Sequence, residues 1–261
     1  MENSNFSDDC EIKLKTKKSL KICKILKYYK ELDSTQIAAK KLANENFEEG
    51  IIIVAEEQNK GYGRTEKIWN SNSGGLWFSM LLRPTIHPSE SSKLALILSI
   101  ALNRILEKKY KIHSEIKWPN DILIREKKIA GIIIEMSTKR NIINWIVAGI
   151  GININNNLPE YLVDTAISLN KILNAKVDRS YFLSEFLIIF EDLYFDFQKN
   201  GFKQFFTEYN DKIAYKNKQI IVDDGYNTII GKNLGIDIDG MLIVRTDNKL
   251  ERITSGTVRL L

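Results

Sequence analysis

Apolar and polar positions alternate along the chain in short blocks, a pattern typical of a protein that mixes strands and helices. The run Ile51-Ile52-Ile53-Val54 is β-branched throughout and predicts a buried strand. Residues 122–124 and 129–136 predict a hairpin that turns at 125–127. Residues 142–148 predict a strand that glycines and an amide interrupt at 149–153. The predicted strands of the first part of the chain are 22–32, 51–54, 76–82, 122–124, 129–136 and 142–148.

Polar caps precede several stretches with helical spacing. Asp33-Ser34-Thr35-Gln36 predicts a helix start, and residues 89–92 predict the cap of a helix over about 93–109. Asp178 is expected to cap a helix with one apolar face, and a second helix is expected over about 202–210. The side chains of that apolar face are predicted to be core, and they are Phe182, Phe186, Ile189, Phe190, Leu193 and Phe197.

After Asp211 the chain changes to short apolar blocks separated by turn residues, which predicts a small β domain. We therefore predict a flexible polar extension over 1–20, a main domain over 21–211 and the small β domain over 212–261. Its turns are predicted at Asp224-Gly225, Gly231, Asp239-Gly240 and Ser255-Gly256.

The composition is ordinary for a soluble globular protein, with 261 residues, 44% hydrophobic and 27% charged. No apolar run approaches the ~18–20 residues of a membrane span, and Glu2, Asp8 and Asp9 argue against a secretory signal. We expect a cytoplasmic protein without a membrane partner. Eight lysines between residues 13 and 30 suggest either a nucleic-acid arm or a solvated extension, and the absence of arginine there favours the extension.

Few side chains offer nucleophilic or metal-binding chemistry. Cys10 and Cys23 have no nearby Cys or His partners, which argues against a zinc site and against a disulfide framework. His87 and His113 lie outside any recognisable nucleophile motif. Chemistry in this protein is therefore expected to depend on positioning and electrostatics.

Two stretches carry the residues best suited to bind an anion. In Gly61–Trp69, two glycines flank Tyr62, and Arg64 and Lys67 add positive charge beside backbone N–H groups. This combination suits a phosphate or a carboxylate, although a plain mobile loop would have a similar sequence. In the second stretch, Lys117-Trp118-Pro119-Asn120-Asp121 predicts a turn, and the following hairpin places Lys128 at the start of a strand beside it.

Four separated segments together resemble the catalytic domain of biotin–protein ligases, in the form that lacks an N-terminal helix-turn-helix domain. The C-terminal stretches 235–242 and 255–258 resemble the small SH3-like barrel of the same family. The resemblance implies an α+β fold. It would have a central mixed β-sheet with flanking helices, as in class II aminoacyl-tRNA synthetases and biotin ligases, and a small C-terminal SH3-like β-barrel. The four segments are Ser34-Thr35-Gln36, Gly61–Trp69, 117–121 with 128–132, and 149–153.

The resemblance also implies a reaction. An ATP-dependent ligase would activate biotin as biotinyl-5′-AMP and transfer it to a lysine of a biotin carboxyl carrier protein domain, from acetyl-CoA carboxylase or another biotin-dependent carboxylase. ATP and biotin would be substrates and Mg²⁺ would be required. The shortage of enzyme nucleophiles agrees with this, because the acceptor lysine is the nucleophile. No specific DNA binding is expected, and the protein would be a monomer or a homodimer.

Site roles follow from the resemblance position by position. Arg64, Lys128 and Lys117 are implied as the catalytic cations, and Gly131 is implied to leave room for the bicyclic ring of biotin. Asp121 is implied as an indirect Mg²⁺ contact, with an ordinary turn aspartate as the alternative. The implied biotin-binding residues are Ser34, Thr35, Gln36, Gln58, Gly61, Tyr62, Gly63, Arg64, Lys128 and Gly131. The implied ATP- or adenylate-binding residues are Arg64, Lys67, Trp69, Lys117, Asn120, Lys128 and Asn153.

The sequence departs from the family pattern at three positions. Gln36 stands where the family usually has Asn, and Tyr62 and Glu66 replace the first arginine and the third glycine of G-R-G-R-x-G-R. We expect a stiffer loop and altered retention of the adenylate. The alternatives are a lipoate–protein ligase, a DNA-binding repressor, for which too few residues precede the catalytic domain, and an inactive biotin-binding module.

Overall fold

The computed structural model describes residues 20–261. The predicted polar extension, Cys10 and the lysines before residue 20 lie outside the described residues. Within them, the alternating apolar pattern forms a seven-stranded sheet in the order β1-β2-β3-β7-β6-β5-β4. β1 pairs with β2 in parallel and all other pairs are antiparallel, so the sheet is mixed as predicted. The strands are β1 (Ile25–Leu32), β2 (Ile51–Gln58), β3 (Leu76–Leu82), β4 (Glu115–Lys117), β5 (Asp121–Ile124), β6 (Lys127–Lys139) and β7 (Ile142–Ile152).

Helices cover both faces of this sheet, because the side chains of each strand point alternately to opposite sides. In β2, Ile51 and Ile53 join the smaller apolar cluster under the first helix, whereas Ile52 and Val54 join the large cluster on the other face. A strand buried on both faces must be apolar throughout, which explains its continuous β-branched run. The helices are α1 (Thr35–Asn44), α2 (Lys93–Tyr110), α3 (Leu169–Leu173), α4 (Arg179–Asn200) and α5 (Phe206–Lys212).

Two of the predicted helix caps are confirmed and one is wrong. The Ser34 hydroxyl accepts a hydrogen bond from the Gln36 N–H at 3.2 Å, and the Asp178 carboxylate accepts from the Tyr181 N–H at 2.9 Å. Ser92 does not cap the start of α2, because its backbone is already helical (φ −62°, ψ −30°) and its side chain makes no capping hydrogen bond. The chain enters α2 through a 3₁₀ turn, Pro88–Glu90, whose start is capped by His87.

Several strand boundaries differ from the sequence prediction. β2 continues beyond Val54 to Gln58, and the hairpin between β5 and β6 turns on two residues, Arg125 and Glu126, which both have positive φ (51° and 64°). The predicted interruption of β7 is wrong, since Gly149 and Gly151 pair in register with both neighbouring strands.

The last part of the chain forms a five-stranded antiparallel sheet in the order β11-β10-β9-β8-β12, which agrees with the expected SH3-like unit. The predicted turn at Gly231 is wrong because this glycine lies inside β9, and the predicted helix over 202–210 is split into a 3₁₀ turn, Lys203–Phe205, and α5. The strands are β8 (Gln219–Asp223), β9 (Thr228–Ile236), β10 (Leu242–Arg245), β11 (Leu250–Ile253) and β12 (Thr257–Leu260).

The small sheet docks beside the turn that follows β4. The indole N–H of Trp118 donates to the Gly240 carbonyl at 3.0 Å, and the Asn210 side chain accepts from the Ile236 N–H at 2.9 Å. These contacts bring the start of β12 close to the predicted site. None of the helices within residues 20–261 is both long enough and apolar enough to cross a membrane.

Candidate active site

All of the predicted site residues except Gly61, together with Thr257 from the small sheet, line one cavity of about 660 Å³. Its floor is formed by the start of α1, the end of β2 and the middle of β3. Gly61–Trp69 lies across one side and β6 and β7 form the wall behind it. Thr257 from the small domain closes the far end.

A chain of hydrogen bonds occupies the floor, where a helix N-terminus meets a buried sheet. The Gln58 side-chain oxygen accepts from the Thr35 backbone N–H at 2.8 Å, and the Thr35 and Ser79 hydroxyls are 2.9 Å apart. The Gln58 amide donates to the Ser71 hydroxyl at 2.8 Å. Buried polar groups need such partners, and their concentration here indicates a polar subsite at the bottom of the cavity.

Gln36 lies at the same floor but is turned towards the sheet. Its amide donates to the Val147 carbonyl at 3.0 Å and its oxygen accepts from the Ser79 hydroxyl at 3.0 Å. A Cβ atom at Gly149 would lie 2.5 Å from that oxygen, so the glycine gives Gln36 its space. The role of Gln36 in ligand binding stays a prediction; in this structure Gln36 lines the cavity and its side chain bonds to the sheet beneath.

Gly61–Trp69 forms a small hairpin, which we call the lid hairpin. The Gly63 N–H donates to the Lys67 carbonyl at 2.8 Å, and the Trp69 N–H donates to the Gly61 carbonyl at 2.9 Å. The tip turns at Thr65 and Glu66, whose φ angles are 53° and 56°. This left-handed backbone costs a residue other than glycine about 1–2 kcal/mol, so Glu66 occupies a position that favours the glycine of the family pattern.

Arg64 extends from the lid hairpin into the cavity and reaches both domains. One guanidinium nitrogen, Nη1, donates to the Asn120 side-chain oxygen at 3.1 Å and to the Gly256 carbonyl at 3.3 Å. The Asn120 amide in turn donates to the Ile132 carbonyl at 2.6 Å. Burial lowers the pKa of Arg64, and the charge of the nearby Asp121 offsets only part of this decrease. An arginine nevertheless stays charged at neutral pH, so the cavity contains a fixed cation.

Two lysines contact the buried carboxylate of Asp121, the first residue of β5. Lys128 Nζ lies 2.7 Å from Asp121 Oδ1, and Lys117 Nζ lies 3.3 Å from Asp121 Oδ2. Burial raises the pKa of Asp121, but the charges of Lys128 and Lys117 outweigh it and the pKa is lowered. With Arg64, three cations therefore face one carboxylate, and the excess positive charge favours an anionic ligand.

The indole of Trp69 lies on a flat patch made by two glycines that pair across β6 and β7. A Cβ atom at Gly151 would lie 2.4 Å from Trp69 Nε1, and one at Gly131 would lie 2.9 Å from Trp69 Cζ3. Lys128 Nζ sits 4.7 Å from the centroid of the same ring. Gly131 was predicted to leave room for a ligand ring, but here Trp69 and Lys128 fill that room.

The remaining predicted residues also line the cavity. Lys67 is exposed on the lid hairpin, and the side chain of the buried Asn153 accepts from the Asn156 amide at 3.0 Å. Tyr62 is also part of the lining, and its hydroxyl donates to Glu135 at 2.9 Å. The structure therefore brings the predicted site residues together around one cavity, with Gly61 in the lid hairpin but outside the lining.

Asp121 does not fit a metal site. Each of its oxygens faces an ammonium group, and residues 20–261 contain no group of three or more His, Cys, Asp or Glu side chains that could hold a metal ion. The indirect Mg²⁺ contact of Asp121 stays a prediction, as does the alternative of an ordinary turn aspartate; in this structure its carboxylate contacts the two lysines.

Sequence reasoning missed part of the lining. Ser79 could have been found, because it is the one polar residue of the buried strand Leu76–Leu82. The segment 158–166 carries no motif, and it is held beside the site by backbone bonds such as Lys128 N–H to Thr165 C=O at 2.8 Å. The missed lining residues include Ser79, Leu158, Leu162, Thr165, Ala166, Tyr215 and Thr257.

Comparison with known proteins gives two family matches and several close relatives. Residues 28–153 match the biotin/lipoate A/B protein ligase family, and residues 216–261 match the biotin protein ligase C-terminal domain. The bifunctional ligase/repressor BirA of Bacillus subtilis (strain 168) is 36% identical over 240 residues, which cover 89% of this chain and 73% of the relative. The biotin–[acetyl-CoA-carboxylase] ligase of Paracoccus denitrificans is 27% identical over 219 residues, covering 82% and 91%.

A solved structure is similar over nearly the whole length. The biotin protein ligase from Aquifex aeolicus, in complex with biotin and ATP, superposes with a TM-score of 0.81 at 32% identity. The match covers 91% of this chain and 100% of that one.

Proposed function

The chain belongs to the biotin/lipoate A/B protein ligase family, and we propose that it is a biotin–protein ligase that activates biotin with ATP and attaches it to a carrier protein. The observation that carries this proposal is the arrangement of Arg64, Lys117 and Lys128 around Asp121, beside a polar floor and under the lid hairpin. Such a site is built to hold two anions together.

In the first step, a carboxylate oxygen of biotin attacks the α-phosphorus of ATP. A new C–O–P linkage forms, and the bond to the bridging oxygen breaks as pyrophosphate leaves with its electron pair. Arg64 and Lys128 are proposed to bind the carboxylate and the α-phosphate at their junction, where they reduce the repulsion between the two anions. Positioned cations of this kind stabilise the charge that develops in the transition state.

In the second step, the amine of an acceptor lysine attacks the acyl carbon of biotinyl-5′-AMP. An amide forms and AMP leaves as the amine loses its proton. Because ATP supplied the leaving group and the acceptor supplies the nucleophile, the chemistry requires no Ser, Cys or His of the enzyme. We propose that the acceptor lysine belongs to a biotin carboxyl carrier domain.

The polar floor is proposed to bind the head group of biotin. Ser34, Thr35 and Gln58 line the cavity where β2 ends and α1 begins, and their hydroxyl and amide groups can exchange hydrogen bonds with the polar atoms of the head group. Gln36 and Ser79 are proposed to hold these groups in place from behind. Trp69, on its glycine patch, and Asn153 are proposed to bind the adenine side of the nucleotide.

Mg²⁺ is proposed to arrive with ATP on its phosphates, since Asp121 is engaged by two lysines. The names of some relatives include a repressor activity. No specific DNA binding is proposed for the present chain. A gel-shift assay with the biotin-operon promoter of the source organism tests this, and we expect no specific complex.

The decisive test of substrate is ATP–pyrophosphate exchange with biotin and lipoate as competing acids. We expect exchange that depends on biotin and is little affected by lipoate. Exchange that depends on lipoate would assign the chain to the lipoate branch of the family, and absence of exchange with either acid would overturn the proposed ligase activity.

A further inference from the structure

Tyr62 connects the lid hairpin to β6 and α1 through two charged side chains, Glu135 and Lys40, that are not among the cations of the site. Its hydroxyl donates to Glu135 Oε2 on β6 at 2.9 Å, and Lys40 Nζ on α1 lies 2.8 Å from Glu135 Oε1. Lys40 Nζ also lies 5.7 Å from the centroid of the Tyr62 ring. The two carboxylate oxygens of Glu135 therefore join the lid hairpin and α1 to β6.

The environment of this group keeps Glu135 charged. Burial raises the pKa of Glu135, but hydrogen bonds from Lys40, Gln36 and Tyr62 outweigh it, so that the pKa is lowered. Lys40 follows Gln36 by one helical turn, so the two residues lie on the same face of α1. The attachment point of Tyr62 is thus continuous with the polar floor of the cavity through Gln36 and Ser79.

The lid hairpin needs such an attachment. Two backbone hydrogen bonds cross it, Gly63 to Lys67 and Trp69 to Gly61, and its tip turns on residues with positive φ. A two-stranded hairpin of this size is at best marginally stable by itself in water. Tyr62 fastens it to Glu135 on β6, and Arg64 fastens it to Asn120 and to Gly256 of the small domain.

We propose that Tyr62, Glu135 and Lys40 form a latch that keeps the lid hairpin closed in the free protein and so positions Arg64 over the cavity. Tyr62 is a positioning residue in this scheme, because its hydroxyl acts through the lid hairpin and does not touch the reacting atoms. The consequence for the reaction rests on the proposed function. With the latch intact, the acyl-adenylate is retained until the acceptor lysine arrives.

The latch itself is tested without any substrate by hydrogen–deuterium exchange in the full chain. Tyr62→Phe removes the hydroxyl and keeps the ring, and loss of a hydrogen bond to a charged acceptor is expected to speed exchange at the Gly63 and Trp69 amides about ten- to a hundredfold. Glu135→Gln should give a similar increase, and the double variant should add little because both changes break the same contact. Tyr161→Phe is the matched control, since its hydroxyl contacts the neutral Asn70 at the cavity mouth, and it should leave lid exchange unchanged.

The functional consequence is measured as the rate at which preformed acyl-adenylate leaves the enzyme. Tyr62→Phe should raise this rate in proportion to the change in amide exchange, and Tyr161→Phe should not. Unchanged exchange in Tyr62→Phe would overturn the latch. Faster exchange with unchanged release would overturn its role in positioning Arg64 and retaining the intermediate. If the wild type forms no acyl-adenylate, the proposed function fails, and the amide-exchange experiment still decides the latch.

Discussion

Replacing Lys128 with methionine removes one cation from the centre of the site and keeps most of the side-chain volume. Lys128 Nζ is 2.7 Å from Asp121 Oδ1, next to the ring of Trp69. In the proposed mechanism this ammonium group stabilises charge at the carboxylate–phosphate junction. Loss of one preorganised group of this kind typically costs about 2.7–4 kcal/mol in the transition state, so we expect adenylation to slow by about a hundredfold to a thousandfold.

The same substitution also lowers the free energy of unfolding, because Asp121 loses one of its two lysine partners. The two distances between Asp121 and the lysines give the size of this effect. With an effective dielectric constant of about 20, the attraction of Asp121 to Lys128 is about 6 kcal/mol and that to Lys117, at 3.3 Å, is about 5 kcal/mol. Lys117 therefore still compensates most of the buried charge. The loss should be smaller than the ~3–5 kcal/mol of a fully orphaned buried ion, and we expect about 1–2 kcal/mol.

Pyrophosphate exchange and thermal unfolding separate these two effects. Adding Asp121→Asn to Lys128→Met should recover stability without recovering the exchange rate, because the uncompensated carboxylate is gone but the cation is still missing. Lys127→Met is the matched control, since Lys127 donates to the Val163 carbonyl outside the cation group. Wild-type exchange in Lys128→Met would refute the role of this lysine.

Three further predictions concern groups around the site. Glu56 accepts from Tyr28, Ser73 and Arg179. Burial raises its pKa, but these bonds, chiefly that from Arg179, lower it to about 2. Glu56→Gln should therefore lower the free energy of unfolding by about 1–3 kcal/mol at neutral pH. In urea unfolding, the difference in this free energy between wild type and variant should shrink as the pH falls from about 4.5 towards about 2. A difference that stays constant with pH would contradict the assignment. Asp121 also has a pKa lowered from its usual value of 3.8, so its contribution is lost only as the pH falls below about 3.8, and in that range wild-type Tm should fall more steeply than that of Asp121→Asn; parallel curves would refute this. Gly151→Ala should displace Trp69 from the two glycines and lower the free energy of unfolding by about 1–3 kcal/mol. The displacement should alter the tryptophan fluorescence and raise the KM for ATP. An unchanged spectrum and an unchanged KM would contradict the packing.

The sheet could be predicted where local sequence determines structure. The strand Leu76–Leu82 agrees with its prediction at both ends, because a run that is apolar except for Ser79 starts after a glycine and ends just before Arg83-Pro84. The glycines of β7 misled the prediction, since glycine usually weakens strands. Here their missing Cβ atoms make room for Trp69 and Gln36, which come from distant segments.

The candidate site was predictable in its residues and less so in its contacts. The turn from Lys117 to Asp121 and the position of Lys128 follow from short motifs. The pairing of Glu135 with Tyr62 joins residues 73 positions apart, and the contact of Arg64 with Gly256 spans 192 positions and two domains. Such contacts depend on how the elements pack, and no local pattern indicates them.

The most direct test of the central claim is the intact mass of a biotin carboxyl carrier domain after incubation with the protein, ATP and biotin. The account predicts the gain of one biotinyl group on a single lysine, which is lost when that lysine is replaced by arginine or when ATP is omitted. A carrier domain that keeps its original mass with biotin, or that is modified only when lipoate replaces biotin, would contradict it.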